Sequence, residues 1–114
     1  MQQKLEVEMN EYQKITRDIE KASLNRQKLV TQLSENDIVK KELSLIEDDA
    51  AVYKLIGPVL CKQDTEEAKS NVNKRIEYIT NEIKRIGVNL GEMDKKLVEK
   101  RKKIMEIQQQ LQKA

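Results

Sequence analysis

Apolar residues recur every three or four positions over most of the chain, with one break near the middle. Before the break, nine of the thirteen heptad core positions are apolar, counting Tyr12 and Ala22. After the break, eleven of twelve positions spaced alternately by four and three are apolar, and Lys100 is the exception. A repeat of 3.5 residues held over several heptads predicts a left-handed coiled coil. The pattern therefore predicts two long helices, an N-terminal one over 1–46 and a C-terminal one over 65–114.

The two apolar stripes are expected to form one core if the second helix folds back antiparallel on the first. A register in which paired residue numbers sum to 112 places each a position opposite a d position, with Lys100 facing Tyr12. A sum of 119 also fits the heptads if the linker is asymmetric. Polar Arg26 and Asn36, at core positions, are expected to set the pairing at some cost in stability. The predicted core residues are Ile15, Ile19, Leu29, Leu33, Ile79, Ile83, Leu90 and Leu97.

The segment 47–64 between the helices has a different pattern. Two short runs of β-branched, aromatic and aliphatic residues, 52–56 and 59–63, flank Gly57-Pro58, which predicts a β-hairpin. A lone two-stranded hairpin is marginal in water, and its edges are exposed. We therefore expect the hairpin to pair with strands of other chains. Four apolar residues next to it that lie off the stripe are expected to pack under that shared sheet: Ile38, Val39, Leu45 and Ile46.

Composition supports elongated helices over a compact globule. Charged residues make up 37% of the chain and aromatic residues 3%. No apolar run approaches the roughly 20 residues that a membrane span needs. The single cysteine, Cys61, cannot form an intrachain disulfide and suits a reducing compartment. Because no signal-like apolar segment follows the first residues, we expect a cytoplasmic protein.

Candidate chemistry is sparse, so we predict that the chain is not an enzyme and holds no metal or cofactor. It has no His, and its three Gly form no phosphate-binding loop. The basic run 95–103 lies within the heptads, whereas a basic zipper places its basic segment before them. We interpret the run as a solvated or partner-facing surface, with no nucleic acid and no membrane as partner.

Three apolar residues near the chain ends lie off the stripe: Val7, Met9 and Met105. Methionine at an exposed helix end suits adaptable contacts of low specificity. Single exposed apolar residues are also common on protein surfaces, and the pattern leaves both interpretations open.

The middle of the chain resembles the β-type subunits of prefoldin. The resemblance rests on Val52–Gln63, on Lys74–Ile79, and on shorter motifs such as Arg26–Leu29 and Glu42-Leu43. It is close over about residues 20–85 and rests on heptad pattern and length outside that range. Cys61 stands where many relatives carry Val, which is also small and apolar.

The resemblance implies a subunit of a heterohexameric co-chaperone. Its partners would be two α-type and three further β-type subunits, whose hairpins form a double β-barrel platform. The coiled-coil tips would bind non-native polypeptides, with actin and tubulin expected, without nucleotide, and deliver them to the cytosolic chaperonin. The assembly residues would be Val52, Tyr53, Leu55, Ile56, Val59 and Leu60. For the client-binding tip we predict Val7, Met9, Met105 and Leu111.

A structural coiled-coil tether in a trafficking or cytoskeletal complex is the alternative. It accounts for the heptads equally well. It accounts poorly for the Gly57-Pro58 hairpin and for the nearly equal helices on either side.

Overall fold

The computed structural model describes residues 2–46 and 52–113 and consists of two long helices and a short sheet. Helix α1 spans Gln2–Ser44 and helix α2 spans Thr65–Lys113. Strands β1, Val52–Ile56, and β2, Val59–Gln63, pair antiparallel. The predicted fold class, a mainly helical two-helix hairpin joined by a β-hairpin, is confirmed. Residues 47–51 of the predicted hairpin segment lie outside the described residues.

Helix α1 ends two residues earlier than the apolar pattern predicts. The backbone N–H of Leu45 donates to the carbonyl of Glu42 at 3.1 Å, and that of Ile46 donates to the carbonyl of Leu43 at 3.3 Å. Hydrogen bonds between residues three apart tighten the last turn, as at many helix ends. Leu45 is thereby left almost fully exposed.

Helix α2 begins with a side-chain cap that Asp64 provides. The Asp64 carboxylate accepts a hydrogen bond from the backbone N–H of Glu66 at 3.1 Å. Its carbonyl accepts the first helical bond, from Ala68 at 2.9 Å. Asp64 is therefore the N-cap. Glu66 and Glu67 follow in the first turn, where negative charge is favourable.

The turn of the β-hairpin needs glycine at its first central position. Ile56 pairs with Val59, so the loop has two residues, Gly57 and Pro58. Gly57 has φ +59°, and no described non-glycine residue has a positive φ. A positive φ followed by a negative one matches a type II′ turn, whose twist suits the strands it connects.

Glycine replacements at two positions should have opposite effects. Gly57→Ala is expected to lower the free energy of unfolding by about 1–2 kcal/mol, because the left-handed conformation is costly for a side chain. Gly91→Ala is expected to raise it by up to about 1 kcal/mol, since Gly91 is helical and an added Cβ would meet no other side chain within 4 Å. Chemical denaturation followed by circular dichroism measures both. A destabilising Gly91→Ala would contradict this account.

The chain divides into two compact units, which we call the terminal unit and the hairpin unit. The terminal unit comprises Met1–Gln27 with Lys84–Ala114, and the hairpin unit comprises Lys28–Ile83. Ile86 is buried in the terminal unit. Leu43, Ala68 and Ile79 are buried in the hairpin unit.

Most predicted core residues are half-buried, because a pair of helices covers only one side of each. In the terminal unit these are Ile15, Ile19, Leu90 and Leu97. In the hairpin unit they are Leu29, Leu33 and Ile83, beside the buried Ile79. Arg26 and Lys40, which the heptads place at core positions, are exposed instead. A long charged side chain can extend out of such a helix seam, so that its charged group stays in water.

Contacts within each unit agree with the register that sums to 112. In the terminal unit, Lys100 reaches Glu8 and Glu11. A sum of 119 would place Lys100 opposite Ile19, eleven residues or roughly 16 Å along α1 from Glu8. Side chains cannot span that distance. In the hairpin unit, one small cavity is lined by two pairs that the same register predicts, Lys40 with Val72 and Leu43 with Lys69.

Over residues 2–46 and 52–113, no helix combines the length and apolarity that crossing a membrane requires.

Candidate assembly and client-binding surfaces

The β-hairpin carries apolar side chains on both of its faces. Leu55 pairs with Leu60, and Ile56 pairs with Val59. Because side chains alternate between faces along a strand, these two pairs lie on opposite sides of the sheet. All four side chains are more than half exposed, as is Tyr53. Two strands cannot cover both of these faces, so the hairpin presents an uncovered apolar surface.

The predicted assembly residues thus lie together, on one two-stranded element. The structure places Val52 in β1 opposite Gln63 and does not describe its side chain. In the same unit, Ile38 and Val39 of α1 are exposed, and Leu45 follows the helix end. Their packing under a shared sheet remains a prediction.

The terminal unit contains a groove between α1 and α2. Its volume is about 400 Å³. It combines apolar and polar side chains from both helices, with no carboxylate among them: Met9, Tyr12, Gln13, Arg101, Ile104, Met105 and Gln108. Met9 is 43% exposed and Met105 is 55% exposed. The groove is therefore an accessible surface with thioether side chains from both helices.

A charged cluster lies across the same helix pair. The ammonium group of Lys100 lies 2.9 Å from a carboxylate oxygen of Glu8, and it also donates to Glu11. Lys100 and Glu8 both occupy heptad core positions and are largely covered. The next residue, Arg101, donates to the hydroxyl of Tyr12 at 3.3 Å. The two adjacent cations thus have different partners on α1.

These contacts shift the pKa values of Glu8, Lys100 and Arg101 in the expected direction. The hydrogen bond from Lys100 lowers the pKa of Glu8 below its ordinary value, against a smaller opposing effect of burial. Hydrogen bonds to Glu11 and Glu8 raise the pKa of Lys100. The hydrogen bond to Tyr12 raises the pKa of Arg101. The contacts therefore favour the charged forms of Glu8, Lys100 and Arg101.

The lowered pKa of Glu8 predicts a loss of stability in acid. A carboxylate with a lowered pKa stabilises the folded state above its ordinary pKa of 4.5, and this contribution is lost as the pH falls through the lowered value. We expect the unfolding temperature to fall less between about pH 5 and about pH 3 in Glu8→Gln than in the native chain. Circular dichroism melts across this range measure the difference.

Glu6→Gln, at an exposed position of the same helix, is the matched control and should follow the native profile. Identical acid profiles for Glu8→Gln and the native chain would show that the Lys100 contact does not stabilise the fold.

The predicted client-binding residues occupy different environments. Met9 and Met105 line the same groove. Val7 is exposed but is not among the groove residues, and Leu111 is half-buried on the apolar stripe. The sequence pattern did not single out Arg101 as a groove residue. The 112 register could have indicated it, because Met9 and Arg101 occupy the heptad positions that flank one side of an antiparallel seam.

Comparisons with known proteins agree on one family. The family model described as "Prefoldin subunit" matches residues 6–111. Prefoldin subunit 6 of Arabidopsis thaliana is 53% identical over 98% of this chain and 87% of its own length. Prefoldin subunit 6 of Homo sapiens is 43% identical over 100% of this chain and 88% of its own length. The crystal structure of the prefoldin beta subunit from Thermococcus strain KS-1 shares the fold, with a TM-score of 0.81 at 19% identity, covering 91% of each chain.

Proposed function

The chain belongs to the prefoldin subunit family, and from that premise we propose that it is a β-type subunit of a heterohexameric co-chaperone. Its partners are two α-type and three further β-type subunits. It binds non-native polypeptides in the cytoplasm, without nucleotide and without catalysis, and delivers them to the cytosolic chaperonin. Actin and tubulin are the expected clients.

The observation that carries this proposal is the β-hairpin with two apolar faces. Apolar side chains on both faces of a two-stranded sheet favour burial from both sides, which another chain must supply. Joining the strands of neighbouring subunits would satisfy the edge hydrogen bonds and cover Leu55, Leu60, Ile56 and Val59 together. In this proposal, the segment 47–64 lies between the two coiled-coil helices and mediates assembly.

The groove of the terminal unit supports the client-binding half of the proposal. A non-native chain exposes diverse apolar side chains, and methionine adapts to many shapes because it is unbranched and polarizable. One such groove would bind weakly. Several subunits acting on one client multiply their weak affinities through effective concentration, and a competing receptor can then displace the client.

Replacing Met9 and Met105 together by Ser should weaken client retention and leave assembly intact. Each methionine is about half exposed, so folding depends little on it, while the groove loses its apolar wall. We expect the assembled complex to suppress client aggregation about twofold to tenfold less effectively, the effect of losing roughly 0.5–1.5 kcal/mol of apolar contact. Light scattering of a denatured client diluted into the complex measures this.

Val88→Ser, which changes an exposed apolar residue of the same unit that does not line the groove, is the matched control. Unchanged suppression of aggregation by the Met9, Met105 double variant would contradict a client-binding groove.

A further inference from the structure

The groove of the terminal unit combines an apolar wall with one cation, Arg101, which pairs with no carboxylate in the part of the chain that the structure describes. We propose that this groove selects segments of polypeptide in which a large apolar side chain is followed within a few residues by Asp or Glu. The apolar side chain contacts Met9 and Met105, and the carboxylate accepts hydrogen bonds from the Arg101 guanidinium. This inference rests on the proposed function and specifies which client segments the groove prefers.

The apolar part of the groove comes from both helices. Met9 projects from α1, and Met105 and Ile104 belong to α2. The two methionines are exposed and Ile104 is half-buried. The apolar wall is therefore open to solvent at the methionines and more covered at Ile104. A volume of about 400 Å³ lies within the usual range for ligand sites and accommodates a few side chains, not a folded domain.

The cation in the groove retains donor capacity. Arg101 donates to the hydroxyl of Tyr12, a neutral group. Within residues 2–46 and 52–113, it forms no ion pair with a carboxylate. A guanidinium group has five N–H donors in a planar fork that matches a carboxylate in two-point contact. The Tyr12 contact holds the side chain against the groove and leaves most of the fork available.

Two acids of α1 within one helical turn of Tyr12 are already engaged by Lys100. Lys100 pairs with Glu8 and with Glu11, and neither carboxylate lines the groove. The polar groove residues other than Tyr12 and Arg101 are two glutamines, Gln13 and Gln108, whose neutral amides can pair with a peptide backbone. The groove therefore presents a net positive charge beside an apolar wall.

This combination fits an acidic polypeptide segment better than it fits a nucleic acid. Single-stranded nucleic acid is bound by aromatic stacking along a row of cations. The groove has one aromatic ring, whose hydroxyl is occupied by Arg101, and two aliphatic thioethers. Charge complementarity to a carboxylate, together with the methionine wall, favours the polypeptide.

The test uses the assembled complex that contains this chain and three labelled peptides. The peptides share one apolar sequence and carry Glu, Gln or Lys at the same position, three residues after a Leu. Fluorescence anisotropy measures each dissociation constant at low salt and at high salt. We expect the Glu peptide to bind about threefold to fivefold more tightly than the Gln peptide at low salt, as for a solvent-accessible ion pair, and the Lys peptide to bind most weakly. The difference should shrink at high salt.

Two variants assign the preference to the groove. Arg101→Gln should reduce the affinity for the Glu peptide to that for the Gln peptide. Lys102→Gln removes the same charge from the next residue, which does not line the groove, and should keep the preference. Thermal unfolding of the Arg101→Gln complex checks that loss of the Tyr12 contact has not disturbed the fold.

The outcomes separate this inference from the proposed function. Equal binding of the Glu and Gln peptides, or a preference that survives Arg101→Gln, would overturn the inference and leave client binding in place. Failure of all three peptides to bind would overturn both. Competition of a single-stranded oligonucleotide with the Glu peptide at equal or lower concentration would also overturn the inference, since it would identify the groove as a site for phosphates.

Discussion

Leu60→Glu is expected to reduce incorporation of the chain into its complex by about a hundredfold or more. Leu60 is 65% exposed in the isolated chain and pairs with Leu55 on one face of the hairpin. If a neighbouring subunit covers that face, the substitution loses about 1.5–3 kcal/mol of apolar burial. An unpaired carboxylate at the same place adds a desolvation cost of several kcal/mol.

Co-expression with the partner subunits, followed by affinity capture and native mass spectrometry, measures the incorporated fraction. The matched control is Val88→Glu, because Val88 is an apolar residue of α2 with a similar exposure of 63%. It tests whether any exposed apolar residue is equally sensitive, and it should leave assembly unchanged. Normal incorporation of Leu60→Glu would contradict the proposal that this face of the hairpin is buried by a partner.

The second large effect concerns the stability of the helix pair. Ile79 is 3% exposed, the least exposed of the apolar residues buried in the described structure. We expect Ile79→Ala to lower the free energy of unfolding by about 2–5 kcal/mol through lost burial and the cavity that remains. A value near the lower end is expected, because two helices can close around a cavity more easily than a globular core can.

Tyr78→Ala is the natural control for this substitution. Tyr78 is the preceding residue in α2 and is 65% exposed, so its truncation should change stability by no more than about 0.5 kcal/mol. Denaturant unfolding of both variants measures the difference. If Ile79→Ala and Tyr78→Ala lowered the free energy of unfolding equally, helix propensity, and not burial at the seam, would determine the stability effect at this position.

Residues whose roles depend on neighbours in sequence could be predicted closely. The heptad spacing indicated the seam of α2, and every described position of that stripe is half-buried or buried. Gly57-Pro58 indicated the turn, because only glycine tolerates the positive φ at the first central position. The apolar hairpin residues followed from composition and alternation alone.

Residues whose roles depend on the opposite helix were harder to predict. Lys100 was expected to face Tyr12, but the sequence pattern did not predict that its ammonium group pairs with Glu8 and Glu11. Arg101 donates a hydrogen bond to the Tyr12 hydroxyl. Arg26 was expected to help set the pairing from a core position, but its side chain is exposed. A heptad assigns each residue to a side of its helix, but the rotamer of a long side chain selects its partner.

The sequence by itself determined the two helices, the seam and the turn, because the hydrophobic period and the conformational freedom of glycine act over a few neighbouring residues. Only the tertiary structure decided between the registers, distributed Lys100 and Arg101 between different partners, and brought Met9 and Met105 to one groove. Those features join residues about ninety positions apart, so they depend on how the helices align and not on any local pattern.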